Sequence, residues 1–258
     1  MPIGESKERH PQKTMKFDQA DFDVRCEWGQ QGVLQLALIS DVVVIVDVLS
    51  FSSCVDIAVS RGAIAFPYQW RDESAQSFAQ SMAAELATKR GKGQYSLSPA
   101  SLLSIPQGTR LVLPSPNGST LSLATGETPA IAGYLRTAKA VALAAMRHGP
   151  KVAVIPAGER WSDGTLRPAL EDLMGAGAIL SYLEGSLSPE AQLAVSAYQG
   201  MCQNLELLIE QCGSGQELIT QGFEQDVCLA LQLNVSDCVP TLTEGAYINK
   251  CIPQNVLE

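Results

Sequence analysis

A charged loop between an apolar strand and a helix is the densest group of reactive side chains in this sequence. The strand is predicted at Val152 to Ile155, and the helix begins near Leu170. The loop and the helix start supply Glu159, Arg160, Asp163, Arg167, Glu171 and Asp172. Only 17% of the chain is charged. Because α/β proteins place their chemistry in loops at strand ends, this concentration predicts a site for a charged ligand, a metal ion or both.

Asp47 lies near the end of a second apolar run, Val42 to Leu49. An ionised carboxylate beside a buried strand needs a partner, either a cation or the amides of the following helix. The alternative is that Asp47 only caps the next turn. The hydroxyls of Ser50, Ser52 and Ser53 follow at once. Since a helix N-terminus suits a phosphate or sulfonate, we expect these serines to bind an anionic substrate.

The segment Pro114-Ser-Pro-Asn-Gly-Ser-Thr120 is a candidate anion-binding turn. Two prolines hold the chain extended, and Asn117-Gly118 can adopt positive φ. Such a turn can point successive N–H groups into one concavity, and Ser119 adds a hydroxyl. An ordinary Asn-Gly turn without a ligand is the alternative.

Glu171 and Asp172 open the helix after the charged loop. They are candidate metal ligands, although acidic residues in a first turn are also favoured by the helix dipole alone. Arg160 and Arg167 are the candidate anion-binding groups, because a guanidinium can donate two hydrogen bonds to one phosphate.

Several familiar catalytic motifs are absent from the sequence. There is no GxxxxGK[ST], GxSxG or HExxH motif. Asp47-Val-Leu lacks the second aspartate of the haloacid-dehalogenase type of phosphatase. The chain has 2 histidines, so His-based phosphoryl transfer is not expected. A hard cation held by carboxylates, such as Mg²⁺, is the remaining economical route to phosphate hydrolysis.

Bulk composition restricts the class of protein. The net charge of -9 argues against general nucleic-acid binding. The 7 cysteines are scattered without a CxxC pair, which predicts reduced thiols rather than a zinc site. A polar N-terminus and the lack of a long apolar run predict a cytoplasmic protein that does not span a membrane.

Apolar segments alternate with helical patterns along the chain. Strands are predicted at 24–28, 42–49, 64–68, 111–113, 130–134 and 152–155. Helices are predicted at 53–60, 73–89, from 119, at 137–147, 170–184 and 189–211, with two short helices and a closing segment in the last 45 residues. This order predicts a layered α/β fold with a largely parallel sheet. We expect residues 1–20 to form a flexible arm and 21–258 a single domain, with a possible lobe boundary near 91–108.

Taken together, these motifs resemble the 2-phosphosulfolactate phosphatase family, the ComB-like proteins of coenzyme M biosynthesis. The resemblance covers residues 40 to 242 and rests on ordered blocks: Val46-Asp-Val-Leu49, Asn117-Gly-Ser119, Ala157-Gly-Glu159, Leu170-Glu-Asp-Leu173, Ala176-Gly177 and the segment from Ser214 to Pro240. It implies a three-layer α/β/α fold with a largely parallel or mixed sheet. It also implies Mg²⁺-dependent hydrolysis of a phosphomonoester of a small sulfonic or carboxylic acid.

One departure from the family pattern concerns position 50. The family usually has Asp-Val-Leu-Arg, whereas this chain has Ser50. We hypothesise that Arg160 or Arg167 supplies the missing charge, and the substrate could differ as a result.

The resulting mechanism places Mg²⁺ on Asp47 and on one or both of Glu171 and Asp172. The phosphate lies on Ser50, Ser52, Ser53 and the turn of Asn117, Gly118 and Ser119, and Glu159 orients the attacking water. In a second mechanism Asp47 is the nucleophile. The rival function is a non-catalytic binder of small anionic metabolites. A homodimer is a further possibility.

Overall fold

A mixed β-sheet with helices on its faces carries the predicted motifs. The computed structural model describes residues 17–70 and 72–250. The strands are β1 Val24–Cys26, β2 Val42–Val46, β3 Ile64–Tyr68, β4 Glu85–Leu86, β5 Arg110–Pro114, β6 Ala130–Ala132, β7 Val152–Pro156, β8 Glu159–Arg160, β9 Leu166–Arg167, β10 Pro240–Thr243 and β11 Ala246–Asn249. The helices are α1 Gly29–Leu36, α2 Phe51–Ser60, α3 Glu73–Ser81, α4 Gly118–Ala124, α5 Ala138–Ala145, α6 Leu170–Leu180, α7 Pro189–Met201, α8 Leu205–Gln211, α9 Gly213–Thr220 and α10 Glu224–Ala230.

Nine of these strands form one sheet, in the order β1-β7-β2-β6-β10-β11-β3-β5-β4. The first four are mutually parallel, as are the last three. Between them lies the antiparallel hairpin of β10 and β11, whose outer neighbours β6 and β3 are also paired antiparallel. The two parallel groups therefore run in opposite directions.

The central strand β2 explains the layered architecture. Its five residues are all buried, and successive side chains point to opposite faces. Val42, Val44 and Val46 pack in a cluster with residues of α5, α6 and α7. Val43 and Ile45 pack with residues of α1 and α4 on the other face. Both faces are covered, which confirms the predicted α/β fold with helices flanking the sheet.

The hairpin at the C-terminal end of the described chain was not predicted. Glu244 and Gly245 connect its strands with φ of 51° and 80°, the pair of positive values that a two-residue hairpin turn requires. Tyr247, which is fully buried, pairs with Ala65 of β3, and Thr241 pairs with Ile131 of β6. The hairpin thus joins the two parallel halves into one sheet.

The helix predicted at 73–89 was too long. The observed helix α3 ends at Ser81 because Ala83 adopts a φ of 48° and the chain turns back, with the Ala84 N–H donating to the Ala79 carbonyl at 2.9 Å. Glu85–Leu86 then forms the edge strand β4 beside β5. Residues 85–86 therefore pair with the sheet instead of continuing the predicted helix.

The long helix predicted at 189–211 is interrupted by a 3₁₀ turn at Cys202–Asn204. Leu205 and Ile209 of the following helix α8 are buried in the same cluster as the α7 face. The other predicted elements exist, with ends that differ by a few residues from the prediction; β3 matches its predicted range.

The segment 91–108, where a lobe boundary was considered, packs against the helix α2. Tyr95, Leu102 and Ile105 belong to one cluster with Val55 and Leu111. Residues 1–16 of the predicted arm lie outside the described residues, and Gln19 hydrogen-bonds to both backbone groups of Cys26. In the described part of the chain, no helix is long and apolar enough to cross a membrane.

Candidate active site

Asp47 lies at the junction of two helix N-termini. It follows β2 directly and is 5% exposed. Its Oδ1 accepts a hydrogen bond from the Phe51 N–H at 3.1 Å, and its Oδ2 accepts one from the Gly118 N–H at 2.9 Å. These are the first residues of α2 and α4. The Phe51 N–H is an amide of the following helix, one of the two kinds of partner predicted for Asp47. Both helix starts were also expected to bind a substrate anion, but here these two N–H groups hold the carboxylate of Asp47.

Asp172 connects the loop after β2 to the loop after β7. Its Oδ1 accepts from the Val48 N–H at 2.7 Å, and its Oδ2 accepts from the Gly158 N–H at 2.8 Å. The residue is 4% exposed. The carboxylates of 47 and 172, distant in sequence, are therefore brought to neighbouring positions, as the predicted site requires.

Glu159 and Asn117 form the opposite part of the site. The Asn117 Nδ2 donates to the Glu159 Oε2 at 2.9 Å. Burial and then the negative charge of Asp47 raise the pKa of Glu159 to about 7, although the hydrogen bond from Asn117 opposes the shift. A carboxyl group with this pKa exchanges its proton near neutral pH, which suits a general base.

Glu171 completes the acidic group and is 2% exposed. The Cys212 thiol donates to its Oε2 at 3.4 Å. Burial and the neighbouring Glu171 charge raise the pKa of Cys212 to about 11, so the thiol remains protonated at neutral pH and is a poor nucleophile.

The acidic groups repel one another. Burial raises the pKa of Asp47, and the charge of Glu171 adds to that effect, whereas the hydrogen bonds from Phe51 and Gly118 oppose it. Burial, Asp47 and Glu171 together hold the pKa of Asp172 well above its usual range. A bound cation would relieve this repulsion.

The predicted metal ligands can be tested against this arrangement. No set of three or more His, Cys, Asp and Glu side chains within residues 17–70 and 72–250 is arranged to hold a metal ion together. Mg²⁺, however, is usually bound through one or two carboxylates, with water and substrate oxygens completing its shell. Since the charge of Glu171 raises the pKa of Asp47, and the charges of Asp47 and Glu171 raise that of Asp172, the three carboxylates are close neighbours, and the donor set fits a hard cation with few protein ligands.

A cavity of about 410 Å³ opens beside Asp47. Asp47, Ser50, Asn117 and Glu159 are the predicted site residues that line it. Its other walls come from Leu49, Gln69, Trp70, Arg90, Leu97, Ser115, Pro116, Ser214, Glu217 and Leu218. The cavity is thus built from loops after β2, β3 and β5, from the segment near 90–97 and from α9.

Three predicted binding hydroxyls point into the fold instead of the cavity. The Ser52 Oγ accepts from the Asp47 N–H at 3.0 Å and donates to the Ile45 carbonyl at 3.2 Å. Ser53 donates to the Val48 carbonyl, and Ser119 donates to the Leu113 carbonyl at 2.8 Å. Their hydrogen bonds fix the loops that carry Asp47 and Asn117, and their substrate contacts stay a prediction.

The two predicted anion-binding arginines lie to one side of this cavity. Arg160 lines a neighbouring cavity of about 360 Å³, which shares Asn117 and Glu159 with the first. Arg167 lies over the Trp161 ring at 5.6 Å. Neither is among the residues that line the cavity beside Asp47.

Arg90 is the cavity arginine that sequence reasoning missed. Its Nη2 donates to the Ser50 Oγ at 2.6 Å and to the Leu97 carbonyl at 2.5 Å. Position 50 is where the expected arginine is missing, and the guanidinium of Arg90 now lies on the serine that occupies it. Arg90 directly follows the helix predicted at 73–89 and belongs to none of the motifs, so nothing in the sequence marked it. Ser115, by contrast, lies inside the Pro-Ser-Pro-Asn-Gly turn.

The fold is a mixed β-sheet flanked by helices, and several buried carboxylates lie close to a polar cavity. The chain is therefore an α/β protein with an acidic site. Within that class the family described as 2-phosphosulpholactate phosphatase matches residues 31–245. The chain belongs to this family, which confirms the resemblance drawn from the sequence.

Two relatives support the same assignment. A protein of Carboxydothermus hydrogenoformans described as a probable 2-phosphosulfolactate phosphatase is 33% identical over 147 residues, which cover 55% of this chain and 60% of that protein. A 2-phosphosulfolactate phosphatase of Methanothermobacter thermautotrophicus is 30% identical over 139 residues, which cover 54% of this chain and 58% of that protein. The match spans less than two thirds of either relative.

Proposed function

We propose that this protein is a Mg²⁺-dependent phosphatase that hydrolyses 2-phosphosulfolactate, or a closely similar phosphomonoester, to sulfolactate and phosphate. The observation that carries the proposal is the group of four neighbouring carboxyl side chains, Asp47, Glu159, Glu171 and Asp172, of which Asp47 and Glu159 line the cavity. Family membership and the printed names of the two relatives support the reaction class.

Glu159 is the proposed base. One carboxylate oxygen accepts the hydrogen bond from Asn117, and the other can accept a proton from water. Attack of that water on phosphorus breaks the bond to the ester oxygen, which leaves as the alcohol with the proton that Glu159 took from the water, passed on directly or through solvent. Because the pKa of Glu159 is about 7, the base form is well populated at neutral pH.

Asp47 and one of the two carboxylates of Glu171 and Asp172 are the proposed ligands of Mg²⁺, since no three acidic side chains of the described residues are arranged to hold an ion together. When bound, the cation supplies charge neutralisation at the phosphoryl oxygens. The two backbone N–H groups on Asp47 and the two on Asp172 fix these carboxylates before the substrate arrives. Fixed charges of this kind need no rearrangement as the transition state forms.

Phosphate release from 2-phosphosulfolactate, with Mg²⁺ or with a chelator, tests the proposal. We expect release that depends on Mg²⁺ and that falls by at least about 100-fold in Asp47→Asn and Glu159→Gln, the scale of losing a preorganised catalytic group. Glu127→Gln, at an exposed position, is the matched control. Equal release with and without the chelator would reject the metal requirement.

Two alternatives have distinct outcomes in the same experiment. Binding of sulfolactate without any phosphate release would favour the non-catalytic binder. Trapping of an acyl-phosphate on Asp47 would favour the mechanism in which Asp47 is the nucleophile.

A further inference from the structure

The cavity beside Asp47 is lined by both anionic and cationic side chains. Asp47, Glu159 and Glu217 contribute carboxylates, and Arg90 is the positively charged side chain among the described residues that line it. Glu159 is held by Asn117, whereas Arg90 is held by Ser50 and Leu97. Among the described residues, an anionic ligand entering this acidic cavity therefore meets Arg90 as a fixed positive group.

Arg90 is held in place by a buried carboxylate. Its Nε lies 3.2 Å from the Oδ2 of Asp226, which is 1% exposed. Asp226 is itself fixed, because its Oδ1 accepts from the Ser98 hydroxyl at 2.7 Å and from the Ala100 N–H at 3.0 Å. The Phe223 ring lies 5.5 Å from the guanidinium carbon of Arg90.

This anchoring leaves two nitrogens of Arg90 without a hydrogen bond in the described part of the chain, because the Nε is paired with Asp226 in charge only. The Nε faces Asp226 and the Nη2 donates to Ser50 and Leu97. The Nη1 has no hydrogen-bond partner within the part of the chain that the structure describes. A guanidinium fixed in this way has lost its side-chain entropy before the ligand binds, which favours tight recognition of an oxyanion.

We infer that Arg90, together with the Ser50 hydroxyl, binds the acidic group of the substrate that is not hydrolysed, a sulfonate or a carboxylate. The inference rests on the proposed function and assigns the specificity for an acidic ester to a residue outside the predicted site. The phosphoryl group then lies on the wall of Asp47 and Glu159, where the proposed base is.

Steady-state kinetics of Arg90→Met with three esters tests the assignment. The esters are 2-phosphosulfolactate, 2-phospholactate and glycerol 2-phosphate, which carry a sulfonate with a carboxylate, a carboxylate alone, and neither. We expect KM to rise roughly 10- to 100-fold for an ester whose acidic group Arg90 binds, the scale of one charge-assisted hydrogen-bonded contact, with kcat little changed. A rise for 2-phosphosulfolactate alone assigns Arg90 to the sulfonate, and a rise for both acidic esters assigns it to the carboxylate.

KM for glycerol 2-phosphate should not change. An equal rise for all three esters, or no rise for any, would overturn the inference. Arg110→Met is the matched control. Like Arg90, Arg110 lies over a phenylalanine ring, 4.7 Å from the centre of the Phe66 ring, and it donates to a backbone carbonyl, that of Met82, at 2.8 Å. Unlike Arg90, it does not line the cavity.

Two further measurements keep the test independent of folding and of turnover. Arg90→Met leaves Asp226 buried without its cation, so Arg90→Met/Asp226→Asn should show the same KM pattern if the pattern reflects the guanidinium itself. Calorimetric titration with sulfolactate needs no hydrolysis, and we expect a Kd roughly 10- to 100-fold higher in the double variant than in the unmodified protein. Equal Kd values would reject the role of Arg90 even in a protein that hydrolyses all three esters. If the unmodified protein binds sulfolactate through Arg90 but hydrolyses none of them, only the proposed phosphatase activity fails.

Discussion

Asp47 connects two helices by hydrogen bonds and is also a candidate reactive group. Its two oxygens hold the first N–H groups of α2 and α4. Each helix start prefers a negative charge because of its free N–H groups and dipole. The fold thereby holds an ionisable carboxylate in a buried position. Burial and the charge of Glu171 raise the pKa of this carboxylate. Position and charge are thus set by the same contacts.

Glu159 gives a prediction for stability at this scale. Its pKa in the folded protein is about 7, above the usual 4.5. The neutral form therefore contributes stability that is fully present below the unfolded pKa and is lost as pH rises through the folded pKa. Glutamine stays neutral and still accepts the bond from Asn117. We expect Glu159→Gln to leave the melting temperature nearly unchanged at about pH 5 and to raise it at about pH 8.

Thermal unfolding in a chelating buffer measures both values, so that a bound cation does not offset the charge. Glu127→Gln, at an exposed position, controls for the general effect of removing one negative charge. A lower melting temperature of Glu159→Gln at about pH 8 would contradict the assigned direction of the shift.

At the scale of elements, the sequence predicted those strands and site residues that a local residue pattern reveals. The β-branched run at 42–46 and the apolar run at 64–68 identified β2 and β3, and polar residues at strand ends identified Asp47, Asn117 and Glu159. Arg90 reaches the cavity only through tertiary structure, so no local pattern marks it. The same is true of β10 and β11, whose pairing partners are far away in sequence.

The packing of α6 on α7 gives a prediction at this scale, because α6 carries Glu171 and Asp172. A Cβ at Gly177 would lie 2.2 Å from the Ala194 carbonyl oxygen, a backbone atom of α7 that cannot rotate away. We expect Gly177→Ala to lower the free energy of unfolding by about 1–3 kcal/mol, as overpacking does.

Gly200→Ala is the matched control within α7. A Cβ there meets nothing within 4 Å, so alanine should raise the free energy of unfolding by about 0.5–1 kcal/mol through its better helix propensity. Urea denaturation measures both values. A neutral Gly177→Ala variant would mean that α6 and α7 can separate without cost.

For the whole molecule, the hairpin of β10 and β11 decides whether the sheet behaves as one unit. It lies between two parallel groups that otherwise run in opposite directions. Tyr247 of β11 packs edge-to-face on Phe51 at 5.9 Å between ring centroids, and its hydroxyl lies 2.7 Å from that of Ser122. The hairpin therefore ties the sheet to both helices that hold Asp47.

Because of this position, we expect removal of the Tyr247 side chain to destabilise both parallel groups of strands. Tyr247 is fully buried, and Tyr247→Ala should lower the free energy of unfolding by about 3–5 kcal/mol, the cost of removing a large aromatic core residue. Tyr247→Phe removes only the hydroxyl, and Ser122 keeps its bond to the Gly118 carbonyl at 2.6 Å. We expect this variant to lower the free energy of unfolding by about 1 kcal/mol.

Native-state hydrogen exchange of Tyr247→Ala, followed in β2 and in β3, then separates two architectures. If both strands lose the same protection, the sheet unfolds as one cooperative unit. If β3 loses protection while β2 keeps it, the two parallel groups of the sheet unfold as separate units; both strands precede residues 91–108, so a division between them would lie elsewhere than the predicted lobe boundary.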